Sequence, residues 1–404
     1  MSICLIPNLS LTTHLQRIEV RYEFPVVFTR HLFSPRNPAL ARALTRGPHP
    51  GPRRCLVLID QGVLAAFPEL PAQIRAWFAA RADAFTLARA PLVLPGGERI
   101  KQTSKPLRRM LDALRSGKIC RHSYCLAIGG GAFLDAAGLA AALFHRGVRH
   151  VRIPTTALAQ CDSGVGVKNA INDADSKNLL GTFAPPCAVL NDTAFLDSLP
   201  LPLLLDGIAE AVKVAAIKDA AFFRTIERAA PNIAARDLPA IRRILKRCAL
   251  LHLDHIATSG DPFELGSARP LDYGHWSAHK LETLSRHRLS HGRAVAVGIA
   301  LDALYAACLG LLPESQALRL LDTLRACGLP VYDPELARKD QRGRLLVLDG
   351  IEEFRAHLGG ELTVTFPAPL GQRVELHSID LPLMADCIAA LSDQGQPLNI
   401  NYEV

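Results

Sequence analysis

The sequence predicts an α/β protein with two parts. Residues 1–199 form a doubly wound parallel-sheet domain, and residues 200–404 a mainly helical one. Three observations carry this expectation. From Cys55 to about Leu190, strand-like runs alternate with helical ones, the pattern of a parallel sheet covered on both faces. Inside that stretch the run Tyr124–Ile128 meets Gly129, Gly130 and Gly131 and then a small-residue helix, Ala136–Phe144. Strand, glycine turn and helix let backbone amides approach a pyrophosphate at a positive helix end. Beyond Leu199–Pro200 the strand pattern gives way to long helical stretches.

Taken in order, RIEVRYEF (17–24) alternates as a strand pair or hairpin does. A proline- and glycine-rich connector (37–54) leads into the strand LVLID (56–60). Its last residue, Asp60, reads either as an acid presented to a ribose hydroxyl or as a helix N-cap. A further strand, VRIPTT (151–156), ends in Thr155 and Thr156, and Asp162, Lys168, Lys177 and Asn178 follow closely. Helices are expected over 203–218, 220–230, 238–256, 274–286, 292–310 and 314–327. The charged, glycine-punctuated segment 333–353 reads as an insertion.

In the helical part, DYGHWSAH (272–279) sets His275 and His279 four apart, and His291 comes twelve residues later. If the first pair is helical, as the apolar pattern around Trp276, Leu281 and Leu284 suggests, both imidazoles share one face, about 6 Å apart. GIAEAVKVA (207–215) puts Glu210 and Lys213 three apart on another helix. One carboxylate with two imidazoles suits a catalytic zinc that keeps a coordination position open. An HxxxH pair on its own reads equally as surface decoration. The glycine-rich segment upstream adds the weight.

Composition excludes several classes. A chain of 404 residues can bury a large core and hold two domains. Apolar stretches such as AAGLAAALF (136–144) are too short to span a bilayer. The N-terminus lacks a basic region followed by an apolar stretch and a cleavage site, so a cytoplasmic protein is expected. Ten cysteines without CxxC spacing read as small buried residues in a reducing compartment. The net charge is +8 and the pI near 9.1. Much of that excess is arginine on solvated helix faces, as in IRRILKRCALL (241–251), with no basic run interleaved with aromatics. Nucleic acid is therefore not an expected partner.

Further segments match in order and spacing: YEFPVVFTRHLF (22–33), PGGERIK (95–101), GGGAFLD (129–135), RGVRHVRIPTTALAQCDSGVGVK (146–168), KNLLGTF (177–183), AVLNDTAFLDSLP (188–200) and HGRAVAVG (291–298). Together with LVLID, GIAEAVK and DYGHWSAH they resemble the 3-dehydroquinate synthase family and its sugar-phosphate cyclase relatives. GGELTVTFPAPLGQRVEL (359–376) resembles the family's closing strands. The resemblance implies an N-terminal NAD-binding domain, a C-terminal metal-binding domain, NAD, and zinc with cobalt as the alternative. It implies a homodimer acting on a small sugar phosphate as a phosphate-eliminating carbon–oxygen lyase. A ring hydroxyl is oxidised, phosphate leaves, the ketone is reduced again, and an intramolecular aldol addition closes a carbocycle.

Carried over by position, Glu210, His275 and His291 are implied metal ligands. Lys168, Lys213, Asp162, Asp272 and His279 are implied catalytic groups, with helix capping or packing as the alternative for His279. Arg146 and Asn178 are implied contacts to the substrate phosphate. Asp60, Glu98, Lys101, Gly129, Gly130, Gly131, Asp135, Thr155, Thr156, Lys177 and Asp192 are the implied cofactor side.

The departures fall at the substrate's far end. Asp272 stands where the family has Asn, and Asp254 where it has Lys, with DPFE (261–264) in place of the usual acidic motif. Ala268 replaces an arginine with Arg269 displaced by one, and Arg355 and Ala356 replace paired lysines. These changes predict a cyclase for a neutral-ended C7 sugar phosphate. A true 3-dehydroquinate synthase is the runner-up. A glycerol- or iron-type alcohol dehydrogenase and a non-catalytic sensor are the alternatives from other classes.

Overall fold

The computed structural model describes residues 13–46, 51–173, 176–264, 266 and 270–393. Its first half holds strands β1 (Val26–Thr29), β2 (Arg53–Asp60), β3 (Phe85–Leu87), β4 (Leu92–Leu94), β5 (Tyr124–Gly129), β6 (Arg149–Pro154), β7 (Lys168–Asp173), β8 (Ser176–Phe183) and β9 (Ala188–Asp192). Seven of them make one parallel sheet in the order β1-β9-β6-β5-β2-β3, with β4 beside the end of β2. Strands β7 and β8 form a separate antiparallel hairpin.

Along β2, Cys55, Val57 and Ile59 enter one core while Leu56 and Leu58 enter another. Strand β5 divides the same way, Tyr124, Leu126 and Ile128 against Cys125 and Ala127. Helices α1 (Ala39–Leu44) and α3 (Leu70–Ala79) cover the first face; α2 (Gln61–Ala66) begins directly after β2. Helices α4 (Ser104–Ser116) and α5 (Gly131–Leu143) cover the second. Burial on both faces is why these strands read as unbroken apolar runs.

The alternating segment 17–24 does not form the expected hairpin. Residues 13–25 carry no regular element, and Ile18 and Val20 remain 82% and 65% exposed. Pairing needs a partner, and the sheet edge beside β9 is taken by β1, which pairs with it in parallel. Among the described residues, 17–24 pairs with no strand, and the outer side of β1 is left unpaired.

After the short helix α6 (Ala157–Cys161) and strand β9 the chain is mainly helical: α7 (Leu201–Lys218), α8 (Ala220–Ala234), α9 (Leu238–Thr258), α10 (His275–Leu284), α11 (His291–Cys308), α12 (Glu314–Ala326), α13 (Asp349–His357) and α14 (Leu381–Ser392). An antiparallel hairpin, β10 (Val364–Pro367) and β11 (Arg373–Leu376), supplies the closing strands. The segment 333–353 is tied into the core rather than appended to it, because Leu336, Val347 and Ile351 are buried there. Among the described residues no helix is long and apolar enough to cross a membrane, and no disulfide forms.

Helices α7 and α11 form the centre of the helical core. On α7 every residue from Leu204 to Ile217 is buried, and on α11 every one from Ala294 to Tyr305. A helix apolar on all sides is a core helix, with no face left for solvent. Glycines bring its neighbours unusually close. A Cβ on Gly298 would lie 2.0 Å from the Gly274 carbonyl oxygen, and one on Gly292 2.3 Å from Asp206 Cα. Gly274 itself has φ +76°, a left-handed conformation that favours glycine, and it starts α10 immediately before His275.

Gly298→Ala should therefore force α10 and α11 apart, at a cost of about 1–3 kcal/mol or more. The urea-unfolding midpoint measures it, and an unchanged midpoint would contradict this account of the packing.

Candidate active site

Three helix positions converge. Glu210 lies midway along α7, while His275 and His291 are the first residues of α10 and α11. One donor atom from each meets the others within 4.8 Å. Glu210 Oε1 is 3.5 Å from His291 Nε2 and 3.9 Å from His275 Nε2. His275 Nδ1 lies 3.1 Å from the Tyr273 carbonyl oxygen. A carbonyl only accepts, so Nδ1 carries the hydrogen and the Nε2 lone pair faces Glu210. Glu210 is completely buried. Lys213 ion-pairs with it, yet among the described residues neither carboxylate oxygen accepts a well-directed hydrogen bond. The aimed His275 lone pair, His291 Nε2 beside it and a buried, under-satisfied carboxylate fit a divalent cation, whose binding would displace a proton from His291.

Burial, with the charge of Lys213 next, holds His275 well below the ordinary imidazole value, hence neutral. Although part of His279 is open to solvent, desolvation by the surrounding site walls, with the neighbouring His291 next, pushes it down to about 4. Burial alone would lower His291, but the carboxylates of Glu210 and Glu282, each 3.5 Å from a ring nitrogen, outweigh it and push it up to about 10. Burial opposes charge on Lys213 as well, and Glu210 and Asp162 reverse that, keeping it an ammonium. Asp162 and Asp272 both fall below the usual carboxylate range despite burial. Lys213 and His252 act on the first, Lys168 and His275 on the second. Lys168 Nζ is 2.6 Å from Glu264 Oε2. Beneath His275, Asp302 accepts from Gly274 N at 3.1 Å and Trp276 Nε1 at 2.9 Å, and burial raises it to about 7.

On the sheet side, Gly129 ends β5, Gly130 is the N-cap of α5, and Gly131 opens that helix. A Cβ on Gly131 would meet Ser163 Oγ at 2.4 Å. Lys101 Nζ bridges Asp135 at 2.6 Å and Asn178 at 2.9 Å. Thr156 caps α6 through Ala159 N, and Thr155 is buried. Asp60 shows the helix-capping alternative: it accepts from Gly62 N at 2.7 Å, with Gly96 packed against its carboxylate. Glu98 is exposed in the turn Gly97–Ile100.

Comparison with known proteins agrees with this arrangement. Residues 91–204 match the 3-dehydroquinate synthase N-terminal family model, and residues 207–345 the C-terminal one. The chain belongs to the 3-dehydroquinate synthase family. It is 30% identical to a 2-epi-5-epi-valiolone synthase of Streptomyces glaucescens over 93% of this chain and 92% of that one. It is 36% identical to a 3-dehydroquinate synthase of Nitrosococcus oceani over 73% of this chain and 80% of that one. Among solved structures, the 2-epi-5-epi-valiolone synthase ValA of Streptomyces hygroscopicus subsp. jinggangensis, with NAD+ and Zn2+ bound, is similar at TM-score 0.82. The identity is 28%, covering 95% of this chain and all of that one.

Against the expectations from the 3-dehydroquinate synthase family, several residues sit elsewhere. Arg146 is exposed beyond the C-terminal end of α5, separated from Gly131 by about 20 Å of helix. It follows a turn in which His145 takes a left-handed conformation, at the end of α5 away from the glycine turn. Asp192 spends its carboxylate on backbone amides, accepting from His31, Leu32 and Ala194 at 2.7–3.0 Å. Asp254 is exposed and pairs with Lys218 at 3.5 Å, so of the two changed acids Asp272 is the one among the site's charges. Arg355 pairs with Glu352 inside α13, and Ala268 and Arg269 lie outside the described residues.

Two residues escaped the sequence reading. Glu282, one turn after His279, is buried and touches both His291 and Lys177. The HxxE spacing was its only signal. Arg152 is wholly buried in β6 and donates to the carbonyls of Ser163, Gly166 and Lys168 and to Asn169 Oδ1, at 2.7–3.1 Å. It fixes the segment running from Asp162 to Lys168. An arginine inside the apolar run VRIP was the available sign.

A pH dependence follows from His291. Its folded value, about 10, lies above the ordinary value of roughly 6.5. The stabilisation is therefore complete below pH ~6.5 and is lost as pH rises through about 10. In metal-stripped protein, the gap in urea midpoint between the unmodified chain and His291→Ala should close over that window; a constant gap would refute the assignment.

Proposed function

We propose that this protein is an NAD- and divalent-metal-dependent sugar-phosphate cyclase, a phosphate-eliminating lyase acting on a neutral-ended C7 sugar phosphate. The buried Glu210–His275–His291 donor set carries the reading. The similarity to a ValA structure with NAD+ and Zn2+ bound supports it. Residues 1–199 would hold the nucleotide and residues 200–404 the metal and most of the substrate.

When bound, NAD would take a hydride from the substrate and return it, while zinc or cobalt would act as a Lewis acid on the reacting oxygen. The chain's own residues supply the rest. Glu210, His275 and His291 hold the cation, with His275 already neutral. Lys213, kept cationic by Glu210, donates to a substrate oxygen beside them. Asp162, kept ionised, accepts from a substrate hydroxyl, and Lys168 attracts the phosphate. His279, pushed down to about 4, is a neutral base at physiological pH and would take a proton as phosphate leaves. Lys101, Asp135 and the glycine turn would receive the nucleotide.

Asp272 favours the neutral-ended substrate. It is an acid among Lys168, Lys213 and His275, and a carboxylate brought beside it would meet like charge. Sedoheptulose 7-phosphate should be turned over with phosphate release far exceeding any lasting NADH absorbance, because the hydride returns to the same molecule. Its kcat/KM should exceed that for 3-deoxy-arabino-heptulosonate 7-phosphate. If the heptulosonate is used at about 10⁴ M⁻¹s⁻¹ or better, the protein is a 3-dehydroquinate synthase. Stoichiometric NADH would make it a dehydrogenase.

Glu210→Ala and His275→Ala should each lose stoichiometric zinc while retaining NAD+ binding, as read by metal analysis and calorimetry. Full occupancy in both variants would sink the metal assignment.

A further inference from the structure

We propose that Glu282 is a positioning residue that fixes His291 as a metal ligand by accepting from its second ring nitrogen. The inference rests on the metal reading of the triad. His291 Nε2 faces Glu210 Oε1 at 3.5 Å, and its Nδ1 faces Glu282 Oε2, also at 3.5 Å. A neutral imidazole has one N–H and one lone pair. A carboxylate beside Nδ1 places the hydrogen there and turns the lone pair toward Glu210 and His275. His275 is fixed in the same sense by the Tyr273 carbonyl oxygen, 3.1 Å from its Nδ1. The two ligands thus share a tautomer but not an anchor: one is held by a neutral backbone oxygen, the other by an anion.

The residues offer a competing arrangement, since donor atoms of His279, Glu282 and His291 also converge within 4.8 Å. That set and the Glu210 set both need His291, and a neutral ring cannot give lone pairs to both. Burial decides between them. Glu210 and His275 are buried, whereas His279 is exposed. Glu282 is itself buried, and Lys177 Nζ donates to the same Oε2 at 3.2 Å. This cation comes from β8, whose next residue, Asn178, binds Lys101. The lysine offsets the cost of burying the carboxylate and leaves it acceptor-only toward His291. A hydrogen-bonded carboxylate behind a ligating histidine orients the ring and raises its basicity, and its loss typically costs 10–100-fold in metal affinity.

The test uses the full chain and Zn2+ itself, with affinity read by competition against a chromophoric chelator. Glu282→Gln should weaken Zn2+ about 10–100-fold and change the Co2+ ligand-field spectrum, while the melting temperature of the metal-free protein stays close to that of the unmodified chain. Glu282→Asp, which keeps the charge but withdraws it from Nδ1, should weaken Zn2+ to a similar extent. A bystander charge would leave Glu282→Asp at the unmodified affinity, and that result overturns the proposal. So does unchanged Zn2+ affinity and spectrum in Glu282→Gln. If Glu282→Gln does not fold, Glu282→Asp carries the test alone. Full metal retention by Glu210→Ala and His275→Ala would instead overturn the underlying reading of the triad, which keeps the two failures apart.

Discussion

A carboxylate at the midpoint of a helix with no exposed face is the constraint around which the C-terminal half is arranged. An isolated anion in that environment is prohibitively unfavourable, so Glu210 needs positive or polar partners brought to it. Lys213 comes from the next turn of α7. The imidazoles come from the first residues of two other helices, and those helices must start at that depth. The contacts at Gly274, Gly292 and Gly298 permit this, because side chains there would hold α10 and α11 away. Packing and chemistry are therefore one problem in this region: the backbone spacing that closes the core also sets the spacing of the donor atoms.

The charges nearest the triad alternate in sign. Two cations, Lys168 and Lys213, lie among three carboxylates, Asp162, Asp272 and Glu264, and act on one another. Such a lining discriminates by position. An anionic group is favoured opposite Lys168 and disfavoured a few ångströms away beside Asp272.

What could be read from the sequence follows from how each residue does its work. Glu210, His275 and His291 were legible because ligand chemistry restricts residue type and helices restrict spacing. The glycine turn was legible because only a close backbone approach explains three glycines after a strand. Asp60 was ambiguous because an acid at the end of a strand can cap a helix or meet a ligand, and both uses leave the same residue in the same place. Arg146 was carried over by its place in the family's pattern alone, and its exposed position past the end of α5 could not be read from nearness in sequence to the glycine turn. The alternation in 17–24 misled because a strand needs a partner that no local pattern supplies. Glu282 and Arg152 were silent for opposite reasons: the first resembles a solvated helix charge, and the second resembles an exception in a strand.

Arg152 has one more consequence. Its guanidinium joins the central strand β6 to the backbone from Ser163 to Asn169, and Asn169 in turn donates to the carbonyls of Val167 and Ala184. Backbone that is bolted to the sheet in this way cannot swing as a gate. Asp162 and Lys168, at the two ends of this segment, are then held in fixed positions against the sheet. Loosening that segment would mean stripping acceptors from a fully buried cation, so local opening there and loss of the whole sheet are close to the same event.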